Sequence, residues 1–411
     1  MSGSSLGTLS GGLLGRRFPV RLILSYIFDW IICFAFVGIG GWLDRIAPAK
    51  RPFSLIDTSI SYPFAEHELV PAYLLFVLAV GVPFAIVVVV SLTLVPGMTV
   101  PKGTPKTLIW QRKLWELHVG VLGLALSLAL SWFFTSSMKN LFGKPRPDLL
   151  SRCDPDWSNI NRYVVGGFKW QSMTGQLVSA DICRQTDQYK IDDGFRSYPS
   201  GHSSAAAGGL IYASLFMASK FAITLPFILP PAASAAGAAS HAAFPSQIRI
   251  GPVVDPYELL GTRGLDGSFS STPTKERAGQ DDAKVQSLRR QAAAPPIYLL
   301  ALGLLPFGVS IFIAGSRWHD RRHHGFDILF GYLMGLTASI FAFRYYHLPI
   351  RAGAGWAWVP RSDERAFWAG IGRQGYAGTD EELGVYSRRR DVGHSADTDT
   401  SHLPVGSVRS R

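Results

Sequence analysis

Cysteine is scarce in this chain, with three residues in 411. That is too few for the disulfide framework on which small secreted domains depend. Cys33 lies inside an apolar run, where packing is its expected role. Cys153 and Cys183 share one polar loop and are free to pair if it faces an oxidising compartment. No Cys-x-x-Cys and no His-Glu-x-x-His spacing occurs, so the sequence proposes no metal site and no cofactor. Charge is scarce too: 17% of residues are charged, against 47% hydrophobic and 12% aromatic. A typical soluble domain carries about 25% charged residues. The formal net charge of +11 does not point to nucleic acid, because the basic residues are dispersed among loops and tails instead of forming one stripe. In a membrane protein they mark cytoplasmic flanks and contacts with anionic lipid.

What the chain has in abundance is long apolar runs. Six reach the ~20 residues a helix needs to cross the hydrocarbon core: Leu22–Leu43, Ala72–Val95, Leu114–Met138, Ser203–Leu225, Ile297–Gly315 and Phe326–His347. Backbone groups in lipid have no water to bond, so helices are the expected state. The fold class is therefore all-α, a polytopic membrane protein built as a six-transmembrane-helix bundle. The first run follows Arg16, Arg17 and Arg21, is too long for a signal-peptide core and contains Asp29, so a retained span is expected. Small residues recur inside the spans, including Ala205 to Gly209 and a Gly331-x-x-x-Gly335 pattern. Residues 1–20 form an N-terminal segment, 21–347 the membrane domain, and 348–411 a largely disordered tail. A low-complexity insert at 231–295 interrupts the domain, and its composition predicts disorder.

Three short polar motifs sit at the rims of these runs: Lys139…Arg146-Pro147, then Pro199-Ser200-Gly201-His202, then Ser316-Arg317…His323…Asp327. The first closes span three, the second opens span four and the third lies between spans five and six. If all six spans cross, the motifs share one side of the membrane, and the termini and insert share the other. Basic residues without acids precede span one (Arg16, Arg17, Arg21) and fill the loop between spans two and three (Lys102, Lys106, Arg112, Lys113), whereas the loop between spans one and two offsets Arg45, Lys50 and Arg51 with four acids. The termini are thus expected in the cytoplasm and the motifs in a lumen or outside.

The chemistry suggested by the motifs is capture and transfer of a phosphoryl group. Lys139, Arg146 and Arg317 supply positive charge, the arginines as paired donors. Ser200 and Gly201 open a helix whose N-terminus suits an anion. His323 and Asp327 are four apart and would share a helix face, the carboxylate fixing the tautomer of a nucleophilic ring. His202 is placed to protonate the leaving oxygen. Each motif alone also has a plainer account: interface anchors, a capped helix start, a structural His–Asp pair.

Taken together, the motifs resemble the type 2 phosphatidic acid phosphatase (lipid phosphate phosphatase) family. That family's pattern is Lys, six residues, Arg-Pro; Pro-Ser-Gly-His; and Ser-Arg, five residues, His, three residues, Asp. The flanking words Lys139 to Cys153 and Gly194 to Ser204 resemble its fungal diacylglycerol pyrophosphate phosphatase members. The resemblance implies a magnesium-independent enzyme that dephosphorylates phosphatidate, lysophosphatidate and diacylglycerol pyrophosphate through a phosphohistidine. By position, His323 would be the nucleophile, His202 the acid and Asp327 the orienter, while Lys139, Arg146, Arg317, Ser200 and Gly201 bind phosphate. Membrane lipid phosphates and the bilayer are the implied partners, and a homo-oligomer is compatible with them. A silent scaffold or transporter on the same helices, a transferase, and a phosphatase of sphingoid or polyprenyl phosphates are the alternatives. Two departures stand out: the long insert after span four, and Arg321-Arg322 before His323 where Tyr-Arg is common.

Overall fold

The computed structural model describes residues 20–97, 103–167, 175–221, 223, 296–348, 350, 355–361 and 366–367. The insert 231–295, and with it the expectation of disorder there, lies outside the described residues, as does most of the tail.

Eight α-helices carry the described chain. They are α1 (Val20–Leu43), α2 (Ala72–Thr93), α3 (Lys106–Phe142), α4 (Leu149–Cys153) and α5 (Gln188–Gly194). Next, Gly201–Ala206, a π-turn Ala207–Ile211 and Tyr212–Lys220 follow without a break and together make one helix, α6. α7 (Ile297–His319) and α8 (Gly325–Tyr346) complete the set. Five of these, α1, α2, α3, α7 and α8, are long and apolar enough to cross a membrane.

The remaining expected span corresponds to α6, and burial explains its weaker apolar signal. Ser203, Ser204, Ala206 to Ala213, Phe216, Met217 and Ser219 are all buried. A helix surrounded by protein has no need of lipid-compatible side chains and needs small ones for close packing. A Cβ on Gly209 would fall 1.8 Å from the Ala79 carbonyl oxygen, so the π-turn of α6 meets the π-turn Val77–Gly81 of α2 backbone to backbone. The Gly331-x-x-x-Gly335 pattern has a definite task. A Cβ at Gly331 would stand 2.4 Å from the Ser200 carbonyl oxygen, and one at Gly335 would stand 2.2 Å from that of Ser204. α8 thereby rests directly on the first turn of α6. α1 is the opposite case, with 11% of its apolar window buried, as expected for a helix facing lipid.

With 37 residues, α3 is about 55 Å long, well beyond the ~30 Å hydrocarbon core. Its end at Gly143, in a left-handed conformation (φ 53°), is sterically restricted: a Cβ there would overlap the Ala49 carbonyl. Above it, the polar loop that carries Cys153 and Cys183 folds with the segment between α1 and α2 into a small cap around Phe53, Ile60, Leu149, Cys153, Val178, Ile182, Ile191 and Phe195. The cap adds a short antiparallel pair, β1 (Val164–Gly167) and β2 (Gln176–Val178), to the otherwise helical fold, with Val164 opposite Val178. Cys153 and Cys183 are joined in a disulfide with Cα atoms 4.6 Å apart.

At the far end of the bundle, residues 355–361 fold back on the helices instead of leaving as tail. The Ala357 amide donates to Glu116 Oε1 (3.0 Å) and the Trp115 indole to the Trp358 carbonyl (2.9 Å). Arg361 meets Asp29 at 2.6 Å, which accounts for an acid inside the first apolar run.

Candidate active site

The three motifs occupy the cap-facing ends of α3, α6, α7 and α8. Lys139 lies in the last turn of α3, and Arg146 follows three residues after the Gly143 stop. The backbone of Arg146 is tied to the cap, its amide donating to the Gly194 carbonyl at 2.8 Å. Its guanidinium is buried, with Nη2 on Asp193 Oδ1 at 2.7 Å and Nε left without a partner.

Ser200 caps α6, its hydroxyl accepting from the Ser203 amide (3.4 Å) and the Ser203 hydroxyl (3.0 Å). Its own amide donates to the Asp327 carbonyl at 2.9 Å. Ser200 is fully buried and its hydroxyl already has work within the protein. Gly201 is the point where the first two motifs meet, because a Cβ there would stand 3.0 Å from the Lys139 ammonium. Burial, followed by the charges of Arg317, Lys139 and Arg146, brings the His202 imidazole down to about 3, and its buried Nε2 has no hydrogen-bond partner.

The third motif departs from its sequence reading. His323 lies in the turn before α8, whose first helical residue is Gly325, so His323 and Asp327 are not one turn apart on a helix. His323 Nδ1 bonds the Ser197 carbonyl at 2.6 Å. A carbonyl only accepts, so this nitrogen carries the proton and Nε2 holds the lone pair. Asp327, expected to orient the ring directly, spends its oxygens elsewhere. Oδ1 takes Lys144 Nζ at 2.7 Å, while Oδ2 takes the Ser197 hydroxyl at 2.6 Å and the His324 amide at 3.2 Å. It forms a capping box with His324 at the start of α8 and reaches the His323 ring through Ser197. Ser197 and Lys144 carry no signal in the sequence beyond lying next to motif residues.

Arg317 is almost wholly buried and largely engaged. Nη1 meets Glu68 at 2.8 Å, Nη2 meets the Val70 carbonyl and Asp320 at 2.8 Å each, and Nε meets the Ser316 hydroxyl at 3.2 Å. Its charge is felt at His202.

Electrostatics show that the motifs share one space. Burial, followed by the charges of Arg146 and Lys139, holds the His323 imidazole well below its ordinary protonation range, and His202 acts on the same ring. His323 is thus kept neutral, the state in which a ring nitrogen can attack. Asp193 is pushed up by burial, but Arg146, Arg152 and Lys139 outweigh that and bring it down to about 2. The unpartnered Arg146 Nε–H and His202 Nε2 are buried polar atoms of the kind that cost free energy unless a ligand meets them. A tetrahedral phosphoryl group has the oxygens to do so.

A family model described as the PAP2 superfamily matches residues 120–254. The match includes Lys139 to His202 and stops within the insert, before the third motif. A PA-phosphatase related-family protein of Dictyostelium discoideum is 34% identical over 49% of this chain and 54% of its own length. Diacylglycerol pyrophosphate phosphatase 1 of Saccharomyces cerevisiae is 23% identical, over 74% of this chain and 73% of its own. Lipid phosphate phosphatase 2 of Arabidopsis thaliana is 28% identical over 51% and 61%. The chain spans about half the length of the Dictyostelium relatives it matches. No solved structure matches it.

Proposed function

We propose that this protein belongs to the PAP2 superfamily and hydrolyses membrane lipid phosphates such as phosphatidate, lysophosphatidate and diacylglycerol pyrophosphate through a phosphohistidine at His323. The observation that carries this reading is the neutral, tautomer-fixed His323 ring under the charges of Arg146 and Lys139, with His202 beside it. The yeast relative is named for diacylglycerol pyrophosphate and the plant relative for lipid phosphates, which supports this class of substrate.

In the first step His323 Nε2 attacks phosphorus and the bond from phosphorus to the leaving oxygen breaks. In the empty site burial and nearby cations keep His202 neutral, so it takes up a proton as the negative phosphate enters and then gives that proton to the leaving oxygen, an effect worth ~10²–10⁴ in rate. Arg146 and Lys139 stabilise charge on the equatorial oxygens, with the Arg317 charge behind them. In the second step His202 takes a proton from water, the water oxygen attacks phosphorus, and the P–N bond breaks to release inorganic phosphate and restore His323. The side-chain cations supply the charge neutralisation for which a divalent ion would otherwise serve, so the reaction is proposed to be independent of magnesium. Asp327 acts by holding Ser197, and Ser200 and Gly201 by shaping the first turn of α6.

The same reading puts the cap and motifs on the lumenal or exterior side and the termini in the cytoplasm. The Arg16, Arg17 and Arg21 flank and the Cys153–Cys183 bridge support this orientation. The test is a substrate panel in detergent micelles with and without chelator. Phosphate release from glycerolipid phosphates that survives chelation is expected. Folded protein that releases phosphate from none of them would contradict the proposal.

A further inference from the structure

We propose that Arg152 and Arg322, which occupy none of the three motif positions, are positioning residues that fix the phosphate site through an unbroken line of alternating charges. The line starts at Arg146, whose Nη2 meets Asp193 Oδ1 at 2.7 Å. The other oxygen of Asp193 takes Arg152 Nη1 at 2.8 Å, and Arg152 Nε meets Asp148 Oδ1 at 2.9 Å. Asp148 Oδ2 then faces Arg322 Nη1 at 3.4 Å, and Arg322 Nη2 meets Glu68 Oε1 at 2.9 Å. Glu68 Oε2 closes on Arg317 at 2.8 Å, which ends on Asp320 at 2.8 Å.

Four arginines and four carboxylates alternate along this path, so its charges cancel and its purpose is not attraction. What it supplies is geometry. Asp193, Asp148 and Glu68 each use both oxygens to hold two guanidinium groups, which keeps those planar forks from swivelling. Arg152 and Arg322 also lie over one ring, Phe64, at 4.8 and 4.3 Å from its centre. The path joins the segment after α3 to the end of α7 by way of α5 and the loop before α2, four places distant in sequence. It sets the separation between the two motif arginines while leaving Arg146 Nε unengaged for a ligand.

This inference rests on the proposed phosphatase reading, and its test turns on a sign. Asp193→Asn and Glu68→Gln each remove a negative charge near the site. If these carboxylates were mere counter-charges, either change would tighten the binding of inorganic phosphate. If they are links in a positioning line, either change should weaken it. We expect the inhibition constant for inorganic phosphate to rise at least tenfold in both variants and kcat/KM on phosphatidate to fall similarly, mostly through KM. Asp193→Glu should recover part of the loss. Asp156→Asn, which breaks an Arg184 pair elsewhere in the cap, should change neither value. Phosphate binding as tight as wild type, or tighter, in Asp193→Asn and Glu68→Gln would overturn the proposal. Should Asp193→Asn fail to fold, Glu68→Gln decides the matter, since Glu68 is a quarter exposed. Phosphate binding is also read by thermal unfolding in added inorganic phosphate. A wild-type protein that binds phosphate but hydrolyses no lipid would therefore sink the phosphatase reading while leaving the positioning line testable.

Discussion

Buried ion pairs occur at both ends of the bundle, and they differ in what they leave over. At the end away from the cap, Glu116 takes Arg112 at 2.9 Å and the Ala357 amide at 3.0 Å on one oxygen and Lys220 at 2.6 Å on the other. Asp29 similarly takes Arg361 on both oxygens. None of the nitrogens of Arg112, Lys220 and Arg361 is buried without a partner. At the cap end, Arg146 Nε, Arg152 Nη2 and Arg322 Nε all are, whereas at the far end the unpartnered nitrogens belong to the His347 ring, which is in no ion pair among the described residues. A network whose donors are matched locks helices together. One that keeps buried donors unmatched carries a cost, and such a cost is ordinarily retained where a ligand removes it.

The largest separation between the two ends should come from paired substitutions. His323→Ala is expected to lower turnover by at least ~10³-fold with the fold intact, because the covalent step has no other nucleophile. Glu116→Gln should do the reverse. It is expected to cost about 3 kcal/mol of stability by leaving Lys220 and Arg112 without their shared partner, with kcat per folded molecule unchanged. Thermal unfolding and active-fraction kinetics on the same samples read both, and a large kcat loss in Glu116→Gln would erase the distinction.

His202→Ala comes next, with an expected loss of ~10²–10⁴ on a phosphate monoester. The loss should be smaller on diacylglycerol pyrophosphate, whose leaving phosphate needs less protonation than an alkoxide. Equal losses on the two substrates would remove the acid role. Gly331→Leu should follow, displacing α8 from the Ser200 carbonyl and costing about 1–3 kcal/mol as overpacking.

The smallest effect concerns pH. His323 must be neutral to attack, and its protonation lies well below the ordinary histidine value. The acid limb of kcat/KM belonging to this ring should therefore fall below pH of about 6.5. Lys139→Met removes one of the charges that depress it, so protonation becomes easier and the limb should move to higher pH. A limb that moved to lower pH would contradict the electrostatic account.

Much of the bundle is legible in the sequence because apolar runs and rim motifs are local signals. Lys139, Arg146, His202 and His323 can be picked out by residue type and spacing, and the structure brings their charges onto one ring. α6 stands out less because a helix enclosed by protein loses the lipid-facing pattern. A four-residue spacing assigns Asp327 to the His323 ring only if both lie on a helix, and the turn at His323 and His324 breaks that assumption. Ser197, Glu68 and Asp193 leave no trace because their partnerships span long separations in sequence and follow no period, and of the Arg152 pairs only the one with Asp148 is local. The same holds for the docking of Arg361 on Asp29 across the bundle.

The most direct test is to trap the covalent state. Rapid acid-free quenching of His202→Ala with ³²P-labelled diacylglycerol pyrophosphate should leave an alkali-stable, acid-labile label on the peptide that contains residue 323, and none when His323 is also replaced. Label on another residue, or steady hydrolysis with no protein-bound phosphate, would contradict the account.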